Sequence, residues 1–123
     1  MRRNRSIRHE RLYLLDSLEA TGHIAVFIGG IDAEEFAKSE LIRSAVVQKL
    51  APIGEAAARV PDAAKERHPE VPWRQIMAFR NILIHAYFGI DWDIVWRAAT
   101  NRCSGLREQI AEILALSDDS ETI

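Results

Sequence analysis

Apolar and small residues recur at helical spacing from Ile7 through Leu14, Leu15, Leu18, Gly22 and Ala25, laying one stripe along a first α-helix. Asn4 or Ser6 can cap its start, and Gly29-Gly30 ends it, because glycine takes the left-handed conformation of a helix stop without penalty. Asp32-Ala33-Glu34-Glu35 reads as a capping-box start for a short helix carrying Phe36. Ser39 opens a longer helix whose stripe is Ile42, Val46, Leu50, Ile53, Ala57 and Val60. Pro52 lies inside it and, lacking an amide proton, predicts a kink. Gly54, with Ala56, Ala57 and Ala58 beside it, marks a point where another helix can approach closely. Glu55 at that point reads as exposed, or as a partner for a basic residue such as Arg80.

Pro61-Asp62 starts a short turn of helix that His68-Pro69 ends. Pro72 then begins a helix at the position where a missing amide costs nothing, and the pattern predicts an unbroken run to Phe88-Gly89. Ile76, Met77, Ile82, Leu83 and Ile84 give it an apolar girdle, so its polar residues stand out. Asp91 or Asp93 caps a last helix through Val95, Ala99, Cys103, Leu106, Ile110 and Ile113. On it Trp92 and Trp96, one turn apart, suit a core or a dimer interface better than base stacking. No strand pattern, glycine-rich phosphate loop, zinc spacing or repeat appears. The expected fold is all-α, an antiparallel bundle of four longer helices and one or two short ones. It forms a single domain over residues 1–123, with 1–6 and the acidic 117–123 frayed.

Composition narrows the function classes. A chain of 123 residues, 48% hydrophobic and 28% charged, suits one globular domain. A net charge of -2 and a pI near 6.1 argue against a protein that coats nucleic acid, and leave room for RNA contact at a local site. The lone Cys103 permits no intramolecular disulfide, and no apolar run reaches membrane-spanning length. The arginine-rich start lacks the apolar core of a secretory signal, so a cytoplasmic location without membrane association is expected. Arg2, Arg3, Arg5, Arg8 and Arg11 read as a solvated end that pairs nearby acids, or as a basic patch for RNA or an acidic partner. His9 and His23 have no second ligand at metal spacing and read as structural.

The chemistry concentrates in Arg80-Asn81-Ile82-Leu83-Ile84-His85-Ala86-Tyr87. On a uniform α-helix Arg80 and Tyr87 return to nearly one face, roughly 10 Å apart along the axis, while Arg80 and His85 lie about 140° apart. Asn81 and His85 are stacked neighbours, so the amide can orient the imidazole. Arginine offers phosphate a permanent fork, and histidine exchanges a proton near neutral pH; the pair suits phosphodiester cleavage without a metal. The same residues also admit a structural reading, in which Arg80 pairs with a carboxylate, His85 caps carbonyls and Tyr87 is a half-buried aromatic with a bonded hydroxyl.

The frame around this motif resembles the HepT-like toxins of the HEPN superfamily, ribonuclease toxins of HepT/MntA type VII toxin–antitoxin modules. The resemblance covers Leu14-Leu15-Asp16, Ile53-Gly54-Glu55-Ala56-Ala57, Pro72-Trp73, the motif with the following Phe88-Gly89-Ile90-Asp91, then Val95-Trp96 and Leu106-Arg107. It implies a homodimeric, metal-independent endoribonuclease without a cofactor, in which Arg80 and His85 are catalytic and Asn81 supports them. The RNA 2′-hydroxyl would attack its own phosphate and leave a 2′,3′-cyclic phosphate. It further implies a nucleotidyltransferase antitoxin of the MntA kind, which uses ATP and Mg²⁺ to attach AMP to Tyr87. The alternative is a non-catalytic helical binding module that docks a nucleotidyltransferase or binds a nucleotide.

Overall fold

Helix α1 takes in Arg2–Ile28, and Gly30 then turns the chain with a φ of 81°, in the left-handed region that glycine tolerates best. The structure, a computed structural model, describes residues 2–82 and 91–121, and of these the side chains of 9–82 and 91–116. The side chains of Arg2, Arg3, Arg5 and Arg8 therefore lie outside the described residues, as do His85 and Tyr87. The cap expected at Asn4 or Ser6 does not form, because α1 already includes Arg2, whereas the caps of α2 and α3 fall where the sequence puts them. Asp32 accepts from the Glu35 amide at 2.8 Å and opens α2 (Ala33–Lys38). The Ser39 hydroxyl accepts from the Ile42 amide at 3.2 Å and opens α3 (Glu40–Arg59). α3 continues through Pro52; Pro52 and Gln48 are both exposed, so water can take the carbonyl that the missing amide leaves.

After α4 (Asp62–Arg67), the Trp73 indole donates to the His68 carbonyl at 2.9 Å and fixes the start of α5 (Trp73–Met77). The expected unbroken α-helix does not follow. Ala78–Asn81 winds into a tighter 3-10 turn. The reason lies in what it packs against. Ile76, Phe79 and Ile82, all buried, stand three residues apart, and three residues per turn line them up on one inward edge facing the core. Each such side chain contributes about 1.5–3 kcal/mol by leaving water.

Asp91 accepts from the Asp93 amide at 3.1 Å and opens α6 (Trp92–Arg97). The expected single last helix is interrupted: Ala98–Arg102 forms a π stretch before α7 (Cys103–Glu121). Within it the Cys103 amide reaches back to the Ala98 carbonyl, and the Thr100 hydroxyl donates to the Trp96 carbonyl at 2.8 Å. α1 packs on α3 and α7, and their buried faces, with Ile24, Val46, Leu50, Ile53, Val95 and Ile110, make the core. Trp92 and Trp96 pack on Phe36, with ring centroids 6.2 and 5.1 Å away, and Arg43 lies 4.7 Å over Trp92. No strand occurs among the described residues, and no helix among them is long and apolar enough to cross a membrane.

Candidate active site

Gly54 on α3 is the seat of the motif. A Cβ built there would overlap the Arg80 amide nitrogen and stand 3.0 Å from the Phe79 carbonyl carbon and Cβ. The close approach read at Gly54 from the sequence is therefore made by the 3-10 turn itself, backbone against backbone. Phe79 and Ile82 point into the core on either side, and the two polar residues between them, Arg80 and Asn81, are left exposed.

Arg80 makes no ion pair and no side-chain hydrogen bond among the described residues. The suggested pairing with Glu55 does not form. Glu55 instead accepts from Arg59 Nε at 3.3 Å, one turn away on the same helix. Arg59, held between Tyr13 and Glu55, has its pKa raised by the Tyr13 contact first and by Glu55 second. The carboxylate beside the motif is thus taken up within α3, and among the described residues no acid claims the Arg80 guanidinium. Asn81, the last residue of the 3-10 turn, sits next to it on the exposed side.

The uniform α-pitch that placed Tyr87 on the face of Arg80 does not hold over Ala78–Asn81, and residues 83–90 lie outside those described. The structure brings together Arg80 and Asn81 and says nothing of His85 and Tyr87. No group of three His, Cys, Asp or Glu side chains that could hold a metal occurs among the described residues. Cys103 is buried under α1, and burial pushes its thiol up to about 12, which leaves it a neutral core side chain at physiological pH.

Beside the motif the surface is grooved. Phe79 and Ile82 form one wall of a depression of about 330 Å³ whose other wall is Ile94, Arg97, Ala98 and Arg102. Sequence reasoning did not single out Arg97 or Arg102. The signal was faint: two arginines five residues apart do not share a face of an α-helix, and the π stretch that changes this is not encoded in any local pattern.

A family model described as "Ribonuclease HepT-like" matches residues 17–113. A protein of Methanocaldococcus jannaschii named "Putative RNase MJ1380" is 35% identical over 105 residues, covering 85% of this chain and 96% of its own length. The protein named "Putative RNase TTE0752" from Caldanaerobacter subterraneus subsp. tengcongensis is 36% identical over 104 residues, covering 85% of this chain and 93% of its own. The "Probable ribonuclease HepT" of Thermococcus cleftensis is 35% identical over 106 residues, covering 86% and 96%. No solved structure matches the chain significantly.

Proposed function

The chain belongs to the HepT-like ribonuclease family, and on that premise we propose that it is the toxin of a bacterial toxin–antitoxin module, a metal-independent endoribonuclease of the cytoplasm. The observation that carries this reading is Arg80, an exposed guanidinium without an ion pair among the described residues, on a turn held by the Gly54 contact. An exposed guanidinium held on a fixed turn is well suited to phosphate.

In the reaction the RNA 2′-oxygen bonds to the adjacent phosphorus and the bond from phosphorus to the 5′-oxygen breaks. The products are a 2′,3′-cyclic phosphate and a free 5′-hydroxyl. His85 accepts the 2′-hydroxyl proton or supplies one to the leaving oxygen, and Arg80 stabilises the charge that grows on the phosphoryl oxygens. Asn81 positions the imidazole or the phosphate. DNA, without the 2′-hydroxyl, is spared. The active unit is a homodimer in which two motif segments face one cleft, so that Arg80 of one copy and His85 of the other can reach the same phosphate.

Neutralisation acts at Tyr87. A nucleotidyltransferase antitoxin activates its hydroxyl to attack the α-phosphorus of ATP; pyrophosphate leaves and the oxygen keeps AMP. The anionic adenylate then competes with RNA for the arginine fork. Growth arrest on expression tests the reading: Arg80→Ala and His85→Ala each abolish it while the dimer stays folded, and arrest that survives both changes rejects it.

A further inference from the structure

Arg97 immediately precedes the π stretch and Arg102 is its last residue, and both line two adjoining grooves. One, of about 330 Å³, is bounded by Phe79 and Ile82 of the motif segment. The other, of about 540 Å³, continues past Pro72, Asn101, Leu106 and Gln109. On an α-helix residues five apart point about 140° away from each other. In the π stretch, whose bonds join residues five apart, they come back over one another. The extra residue costs one regular bond, and Thr100 compensates by donating its hydroxyl to the Trp96 carbonyl. The result is two exposed guanidinium groups on one side of the motif, sharing both grooves.

No carboxylate among the described residues neutralises their charge. Among the described residues neither arginine makes an ion pair. Arg102 donates to the side-chain oxygen of Gln75, a neutral amide that orients the guanidinium and leaves its charge. Glu70, the acid on the second groove, has its carboxylate 3.5 Å from His68 Nδ1. Two aligned cations in a chain of net charge -2 are a local attractor for a polyanion, not part of a general basic surface.

We infer that Arg97 and Arg102 hold successive phosphates of the single-stranded RNA on the side of the cleavage point bounded by Phe79 and Ile82. This rests on the ribonuclease reading and adds a binding track to it. Because the two grooves share both arginines, the strand runs from the side of Phe79 and Ile82 past Asn101 to Leu106 at the start of α7. In the first groove the exposed Ile94 is left for the bases, and the guanidinium groups take the backbone, so the grip is independent of sequence.

The test combines cleavage kinetics with binding of a fluorescent single-stranded RNA to the full chain in the His85→Ala background, with salt varied. Arg97→Gln and Arg102→Gln should each raise KM about tenfold with little change in kcat, and lower the slope of log affinity against log salt by about 0.7. Arg102→Lys should keep the slope, because it keeps the charge. Gln75→Ala, which removes the brace alone, should also leave the slope in place, and Lys38→Gln on α2, an exposed cation paired with Glu34, should change neither quantity. If the wild-type chain cleaves RNA while Arg97→Gln and Arg102→Gln retain its KM and its salt slope, the track does not exist. Variants that keep RNA binding but lose a nucleotidyltransferase partner would reassign the surface to protein docking and overturn the inference. A wild-type chain that neither binds nor cleaves RNA would remove the ribonuclease reading, and this inference with it.

Discussion

Gly54 and Arg80 touch through their backbones: a single methyl group on the glycine would overlap the arginine's amide nitrogen. The atoms in the way are backbone, which cannot swing aside as a flexible side chain can. Gly54→Ala should therefore cost about 1–3 kcal/mol by overpacking and also displace Arg80. Urea unfolding and RNA cleavage, measured together, check this. A variant of unchanged stability and activity would show that α3 does not seat the motif.

Arg80 itself should behave oppositely. Exposed and without an ion pair among the described residues, it contributes little to the fold, so Arg80→Ala should change stability by no more than about 0.5 kcal/mol. Cleavage should fall by about 10²–10³, the scale of losing one preorganised donor to a transition-state oxyanion. Arg80→Lys should recover only part of it, since a point charge replaces a fork.

Cys103 gives a pH prediction. Its thiol rises from an ordinary 9.0 to about 12 in the fold because burial penalises the thiolate. A raised folded value means that the unfolded chain loses the proton first. The thiol's contribution to stability is full below pH 9 and is lost as pH climbs from 9 toward 12, with a slope of at most about 1.4 kcal/mol per pH unit. Unfolding midpoints at pH 8 and pH 10.5 should diverge more for the wild type than for Cys103→Ala. Iodoacetamide should modify the native thiol slowly and the unfolded one fast.

The proposed neutralisation at Tyr87 can be separated from catalysis. Tyr87→Phe should keep nuclease activity and escape the antitoxin's enzymatic neutralisation, as seen by the absence of an AMP mass increment and by persistent growth arrest with ATP present. Full silencing of this variant by the antitoxin would make steric binding the mechanism.

Local chemistry in the chain was legible wherever a side chain bonds its own neighbourhood. Asp32, Ser39 and Asp91 cap the helices read from them, Gly30 turns where a helix stop was expected, and Gly54 makes the close approach its lack of a side chain permits. The 3-10 turn at Ala78–Asn81 and the π stretch at Ala98–Arg102 were not legible, because both are set by packing between elements and neither by the preferences of the residues in them. One clue was present. Ile76, Phe79 and Ile82 recur every third residue, and an apolar girdle read without Phe79 hides that period. Glu55 is exposed and has a basic partner, as read, but the partner is Arg59 and not Arg80, because Arg59, one turn on, competes for the carboxylate at far lower entropic cost than a residue from another element.

The most direct measurement is RNA digestion with metal chelated, using protein purified free of any antitoxin with Tyr87 verified as unmodified, beside His85→Ala. The ends of the fragments are mapped chemically. The account predicts 2′,3′-cyclic phosphate and 5′-hydroxyl ends from the wild type and none from the variant. RNA left intact by both across several RNA classes, or cleaved equally by both, would contradict it.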